Sequence, residues 1–490
     1  MQKNYIKSIK RENMKRIGNK GSITVFLCLL LSVILILCLT LFNVSYIYGA
    51  KSKIAMCGRS AASGIKANYN SYIFENYHIL LFDKEFGGMG EGAAEEEIKH
   101  LLVHNLGDEY KVEDIAVTEF KLIMSQDCIH LKEQINDYMN YAIVESGVDK
   151  ILQITGDEDG NASEETDEVL DRAEKESEEK KKSYAEKDDD SDTSKETEDP
   201  RDFTSAVGDF GILTFVLPED MKISNALINI MEVPSFTPIS YDEKNYEISG
   251  SFDDFDVLKK DLHSNKSWKS NMVTWAKTIA YAGSVFNCAT ENDVNDKTVF
   301  QCEIEYLIGG KASDYDNLES VVNKIILLRF PMNFSYLITD ESKMSKVKAI
   351  SAPVAMAALM PWSEPVIRYL LAGCWSYGEA MAEVRNLLSG AALPFVKDYD
   401  SWITDINNLG ESIFYKAEEK ENGLCYKDYL YILLAMDTDK TYIRMLDLIE
   451  LNTRQENTDF QIENGAVGIS VDMRISYQGR ETSINIKDGY

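Results

Sequence analysis

His100 and His104 stand four residues apart in AAEEEIKHLLVH, with Glu96 and Glu97 beside them. Histidines at this spacing share one helical face and can chelate zinc. The zincin pattern needs a glutamate directly after the first histidine, and Leu101 takes that place, so the pair reads as part of a solvated face. GGMGEG, residues 87–92, lies between the strand-like HILLFD and that helix, where a phosphate-cradling turn would sit. Its spacing is not GxGxxG, and it reads as a loop. TGDEDG approaches a calcium loop but places Thr155 and Thr166 where the first and last ligands belong.

The eight cysteines, Cys28, Cys38, Cys57, Cys128, Cys288, Cys302, Cys374 and Cys425, include no CxxC pair. That removes the usual zinc-ribbon and thioredoxin readings. Cys288 and Cys302 could bridge adjacent segments in an oxidising compartment, although the scatter is that of buried thiols. No GxSxG elbow and no phosphate-binding GxxxxGKS/T loop is present. Glu379 and Arg385 in YGEAMAEVR, and Arg444, Asp447 and Asn452 in RMLDLIELN, are polar residues inside apolar helical windows. Buried charges must be paired, so these are expected to pair with one another or cap helices, with ligand binding as the alternative. No catalytic, cofactor-binding or metal residue is assigned, no cofactor or small-molecule substrate is expected, and the chain does not read as an enzyme. A hydrolase built on scattered carboxylates stays open, because such pairs meet only in three dimensions.

The elements that carry these residues follow from charge and periodicity. A net charge of -30 over 490 residues repels duplex nucleic acid, which is not expected as a partner. The first twenty residues are nonetheless basic, with Lys3, Lys7, Lys10, Arg11, Lys15, Arg16 and Lys20 against Glu12. Residues 23–42 then carry no charge, and fifteen of the twenty are Leu, Ile, Val or Phe. As a helix they reach about 30 Å, the thickness of a bilayer's hydrocarbon core. A cleavable signal has a shorter apolar run and a small-x-small site, whereas here the nearest candidate, Tyr48, Gly49 and Ala50, starts with a bulky Tyr. The run reads as an uncleaved single-pass anchor in the cell membrane rather than a signal peptide or a core helix. The basic residues keep the amino end in the cytoplasm and place the bulk of the chain outside. Beyond it, Ile47, Ala50, Ile54, Cys57, Ala61 and Ile65 form a helical seam, with Gly58 and Gly64 beside it, so that the helix continues as a stalk. That seam faces either another chain or the protein's own outer part.

The expected fold class is α+β: a long transmembrane helix and stalk, then a mixed ectodomain interrupted by a disordered acidic segment. The divisions are 1–21 for the basic tail, 22–43 for the span, 44–155 for the stalk and first part of the ectodomain, 156–202 for the acidic linker and 203–490 for the remainder. The linker lacks large apolar residues and cannot offset its ordering entropy, although residues 164–187 could be helical through i,i+4 pairs. Residues 110–124 suggest a strand and 131–154 a helix. Alternation at Phe300, Cys302, Ile304, Tyr306 and Ile308 suggests a strand with one buried face, followed by a helix over 317–328 and an extended piece over 332–338. Residues 341–457 read as helices broken at Pro361, Pro365, Gly390, Pro394 and Gly410. The chain closes with a hairpin turning at Gln478 and Gly479.

GSITVFLCLLLSVILILCLTLF followed by SKIAMCGRSAASGIKANYN resembles the amino-terminal segment of pseudopilin-like proteins of the tight-adherence (Tad) pilus type. FENYHILLFD, CEIEYLIGGKASDYDNLESVVNKIILLRFPMNF, WSYGEAMAEVRNLLSG and GLCYKDYLYILLAMDTDKTYIRMLDLIELN are similar to stretches of a family of membrane-anchored proteins of Gram-positive bacteria associated with such pili. The resemblance implies pilin-like or pilus-assembly partners besides membrane lipid, and it leaves open whether the chain is processed at Gly21. Polymerising pilins of that kind commonly have a Glu at the fifth position after the processing glycine, where this chain has Phe26. A buried carboxylate of that sort specifies subunit register, so its replacement favours an accessory or minor component over a major fibre subunit. The alternative function is a tethered surface-binding or sensing ectodomain with no fibre.

Overall fold

An uninterrupted apolar run leading into a seam at steps of three and four dictates one continuous helix. In the computed structural model, α1 spans Gln2–Lys66. The structure describes residues 2–90, 92–141, 200–236, 268–291, 298–398, 400–418, 423–436 and 440–490. The chain is mixed helix and sheet, headed by the long apolar helix, and it divides into two units.

The first unit comprises Met1–Asn70, Leu81–Leu122 and Asn464–Tyr490. Its sheet contains β1 (Phe82–Asp83), β2 (Tyr110–Leu122), β3 (Gly465–Tyr477) and β4 (Arg480–Gly489), and a second helix, α2, covers Ala93–Leu106. β3 is central and antiparallel to all three others, with Val117 opposite Val471 on one side and Ile486 opposite Val471 on the other. The hairpin turn has Gln478 at φ 49° and Gly479 at φ 77°, the left-handed pair of a two-residue turn whose twist matches its strands. Alternate β3 residues Ile469, Val471, Met473 and Ile475 point to one face. There they meet Ile54, Cys57, Ala61 and Ile65 of α1 and Ile98, Leu102 and Leu106 of α2. The stalk seam therefore packs on the protein's own sheet.

Close approach depends on Gly58. A Cβ there would overlap Ile486 Cδ1 and lie 3.1 Å from Met473 Sδ. Gly58→Leu is expected to lower the stability of this unit by about 1–3 kcal/mol through overpacking. Faster hydrogen exchange at the β3 amides would report it, and unchanged exchange would contradict the packing. The carboxyl end is fastened to the same helix: Lys66 Nζ donates to Asp488 Oδ1 at 2.7 Å and Ser63 Oγ to Asp488 Oδ2 at 2.7 Å.

Sequence order groups the hairpin with the outer part beginning at residue 203. It belongs instead to the first unit, because β3 finds its partner in β2 some 350 residues upstream in sequence. Such a pairing leaves no local signature. The strand over 110–124 appears as β2, shorter by two residues.

The second unit, Ser71–Leu80 with Ile123–Glu463, is helical. Among the described residues its longer helices are α3 (Ser125–Tyr141), α4 (Pro200–Phe210), α5 (Trp268–Val285), α6 (Glu303–Gly309), α7 (Asp314–Thr339), α8 (Glu341–Ala357), α9 (Glu364–Leu388), α10 (Tyr426–Met436) and α11 (Thr441–Thr453), with shorter ones at Ser71–Tyr77, Leu213–Val216 and Leu409–Ser412. The helix expected over 131–154 is seen as α3 as far as residue 141. The acidic stretch to residue 199, its suggested helix over 164–187 and the TGDEDG loop lie outside the described residues. Residues 200–202, assigned to the linker, open α4.

Three expectations are corrected here. Residues 303–309 form α6 rather than a strand, because Glu303 and Glu305 are buried along with Ile304, Tyr306 and Ile308. An alternating pattern implies a strand only if its polar positions face water. Gly310, at φ 61°, stops the helix in the left-handed conformation. Residues 332–338 continue α7 through Pro331, since Arg329, Asn333 and Leu337 keep a helical spacing on its buried side. The lost backbone bond at proline is outweighed by tertiary contacts. Pro365 and Gly410 break nothing: the first sits in the opening turn of α9, where proline fits, and the second lies inside a short helix, Leu409–Ser412.

Candidate functional site

Glu379 and Glu383 lie one turn apart on α9, and Arg329 and Asn333 one turn apart on α7, which brings all four to one helix–helix seam. Arg329 donates from Nε to Glu383 Oε2 at 2.9 Å and from Nη2 to Glu383 Oε1 at 2.5 Å, and Asn333 Nδ2 donates to Oε2 at 2.9 Å. Lys397 Nζ lies 2.8 Å from Glu383 Oε1 and 2.5 Å from Glu379 Oε1. Glu379 also accepts from the Ile403 and Thr404 amides, each at 2.9 Å. Two acids and two bases thus neutralise one another in the core. Burial alone would raise the Glu383 pKa, but Arg329 and then Lys397 outweigh it and pull it well down.

A second set surrounds α6 and is almost purely acidic. Glu303 accepts from Asn287 N at 3.0 Å and from Asn452 Nδ2 at 2.6 Å. Glu305 accepts from Ala289 N at 3.0 Å and Tyr426 OH at 2.9 Å. Asp314 accepts from Gln301 N and Cys302 N, and Asp447 from Ser235 N and Tyr306 OH. These carboxyls give loop amides the acceptors that buried N–H groups require. Desolvation raises Glu303 and Glu305 to about 7, and Asp447 and Glu450 to about 6, against the hydrogen bonds that oppose it. Carboxyls near neutrality are suited to general acid chemistry. Glu303 and Glu305, however, are 1% and 0% exposed, so a substrate has no route to them.

The five polar residues singled out from the sequence are all engaged, chiefly with other partners, although the Arg444 charge also acts on the Asp447 carboxyl. Arg385 Nη1 donates to the carbonyls of Phe215 and Leu217, and Arg444 Nη1 to those of Leu307 and Ile308 at the end of α6. Asn452 joins Glu303 and Tyr77. Sequence reasoning does not pick out Arg329, Glu383, Lys397, Glu303 or Glu305. The signal for the first two is present as i,i+4 polar pairs inside apolar windows; for Lys397, eighteen residues beyond Glu379, there is none.

A groove of about 690 Å³ opens between α4, α7 and α9. Gly208 and Gly373 form part of its floor, with open space where a Cβ would stand. Glu319, Asn323, Cys374 and Tyr377 supply its polar wall, and Leu370 is a half-exposed apolar rim. Burial raises the Tyr377 pKa, and Cys374 Sγ contacts Thr204 Oγ1 at 4.0 Å. The lining suits an apolar side chain or a helix edge. His100 and His104 are exposed on α2, opposite its buried Ile98 and Leu102, and GGMGEG lies before that helix. Among the described residues, which include all eight cysteines, none is in a disulfide, Cys288 and Cys302 included. Among the described residues, no group of three or more His, Cys, Asp and Glu is placed to hold a metal.

A model of a family of unknown function (DUF5702) matches residues 190–477, more than half of the chain. No curated protein and no solved structure matches.

Proposed function

We propose, starting from the fact that the chain belongs to the family of unknown function DUF5702, that it is a single-pass membrane-anchored surface protein that works through protein contacts. The observation that carries this reading is the contrast along α1. All fifteen Leu, Ile, Val and Phe side chains of residues 23–42 are exposed, whereas Ile54, Cys57, Ala61 and Ile65 of the same helix are buried. In water that exposed surface carries a penalty of about 25 cal/mol per Å², which hydrocarbon removes. Ser32 Oγ and Thr40 Oγ1 each donate to the carbonyl three residues back at 2.7 Å, so the polar groups of the run are satisfied within the helix, as lipid requires. α7 is also long and apolar, but it carries buried Arg329 and packs in the core of the second unit, so it is read as a core helix. The basic residues before the run favour a cytoplasmic amino end.

The resemblance to Tad-type pseudopilin-like proteins supports an accessory or minor role in a pilus or secretion assembly, with pilin-like or assembly proteins as partners. The buried seam limits where such partners can sit: residues 23–49 and the outward face of the stalk near Arg59 and Ser60 remain accessible. A tethered binding ectodomain is the second reading, favoured by the groove between α4, α7 and α9. Photo-cross-linking in intact cells separates the two. Capture of pilin-like chains from Leu31 or Val44 supports the first; capture only from groove positions such as Leu370 overturns it in favour of the second.

A further inference from the structure

The turn between β3 and β4 is fastened to α1 just past the end of the apolar run. Gln478 Nε2 donates to Tyr46 OH at 2.9 Å, Arg480 Nη1 to Asn43 Oδ1 at 3.4 Å, and the Tyr477 and Tyr46 hydroxyls are hydrogen-bonded. Tyr477 also stacks on Tyr110 at 4.4 Å, and Lys53 Nζ lies 4.8 Å from the centre of that ring. Tyr46 and Tyr48 are exposed, as are Gln478 and Arg480. Tyr46 is one helical turn beyond Phe42, about 6 Å along the axis. The headgroup layer on one side of a bilayer is about 5–7 Å thick. A group held at Tyr46 therefore falls within that layer whenever residue 42 marks the edge of the hydrocarbon.

We propose that this end of the sheet, with Tyr46, Tyr110, Tyr477, Gln478 and Arg480, is a lipid-headgroup contact surface that sets the height and tilt of the first unit on the membrane. The proposal rests on the anchored reading of α1. Its chemistry fits the layer: tyrosine rings prefer the interface, where the ring meets apolar surface and the hydroxyl meets water, and the exposed guanidinium of Arg480 suits a lipid phosphate. The turn already has the left-handed backbone it needs, so its geometry does not depend on lipid.

The full chain in phosphatidylcholine–phosphatidylglycerol nanodiscs tests this, with photoreactive benzoylphenylalanine placed in turn at Phe42, Gln478 and Glu119. Glu119 lies nine residues along β2 from Tyr110, about 30 Å toward the other end of the sheet. Lipid adducts at 42 and 478, several-fold above those at 119, are the expected result. Adducts at 42 without 478 overturn the contact surface and leave the anchor intact. Equal adducts at all three overturn it in favour of a sheet lying flat on the bilayer. Absence at 42 removes the anchor and the contact surface with it.

Discussion

Glu383→Ala is expected to destabilise the helical unit by about 3–5 kcal/mol, the usual loss when one partner of a buried ion pair is removed. Glu383 receives two bonds from Arg329, one from Asn333 and an ion pair from Lys397. Its removal leaves two cations, each 2% exposed or less at the side chain, facing Glu379 alone. Urea unfolding followed by tryptophan fluorescence reads this directly, since Trp375 Nε1 donates to Thr404 Oγ1 beside the network and Lys397 lies over the Trp402 ring. The double variant Arg329→Met with Glu383→Leu is expected to recover part of the loss, because it leaves fewer buried charges unpaired. A single variant as stable as the parent would show that the network is not formed.

The second large effect is on pH. Glu303 and Glu305 hold protons in the folded state up to about pH 7, and Asp447 and Glu450 up to about pH 6, all raised chiefly by desolvation. Unfolded, these groups titrate near 4. Between those limits the folded chain binds more protons than the unfolded one, so the stability these groups contribute is full below about pH 4 and is lost as pH rises toward 7. A tenfold difference in proton affinity between the two states is worth about 1.4 kcal/mol, and the four groups together amount to several kcal/mol. Thermal melting is therefore expected to be higher at pH 5 than at pH 8. Glu305→Gln should flatten that slope while retaining an acceptor for Ala289 N. A melting temperature that climbs from pH 5 to 8 would contradict the assignment. Glu383 acts oppositely, since its lowered pKa adds stability that is lost only as the solution becomes strongly acidic.

What can be read in the sequence is whatever rests on local periodicity. The stalk seam is buried at Ala50, Ile54, Cys57, Ala61 and Ile65 and only partly at Ile47, the hairpin at Gln478 and Gly479 is present, and the strand expected over 110–124 is formed over Tyr110–Leu122. What misleads is burial of polar residues. Glu303 and Glu305 alternate with apolar neighbours, yet all are enclosed, and the pattern that suggests a half-exposed strand belongs to a wholly buried helix. Pro365 suggests a break that first-turn placement removes, and the extended piece expected over 332–338 is held helical by tertiary packing. The union of β3 with β2, and of Lys397 with Glu379 and Glu383, depends on distant segments meeting, and no spacing rule encodes it. The same holds for the groove, whose floor combines Gly208 with Gly373.

Both the anchor and the headgroup contact require residues 23–42 to sit in hydrocarbon. Flotation of the full-length chain with lipid vesicles through a density gradient, after washing in high salt and alkaline carbonate, decides whether they do. The chain should rise with the vesicles, and a variant lacking residues 23–42 should stay below. A full-length chain left at the bottom after the wash would contradict the membrane placement.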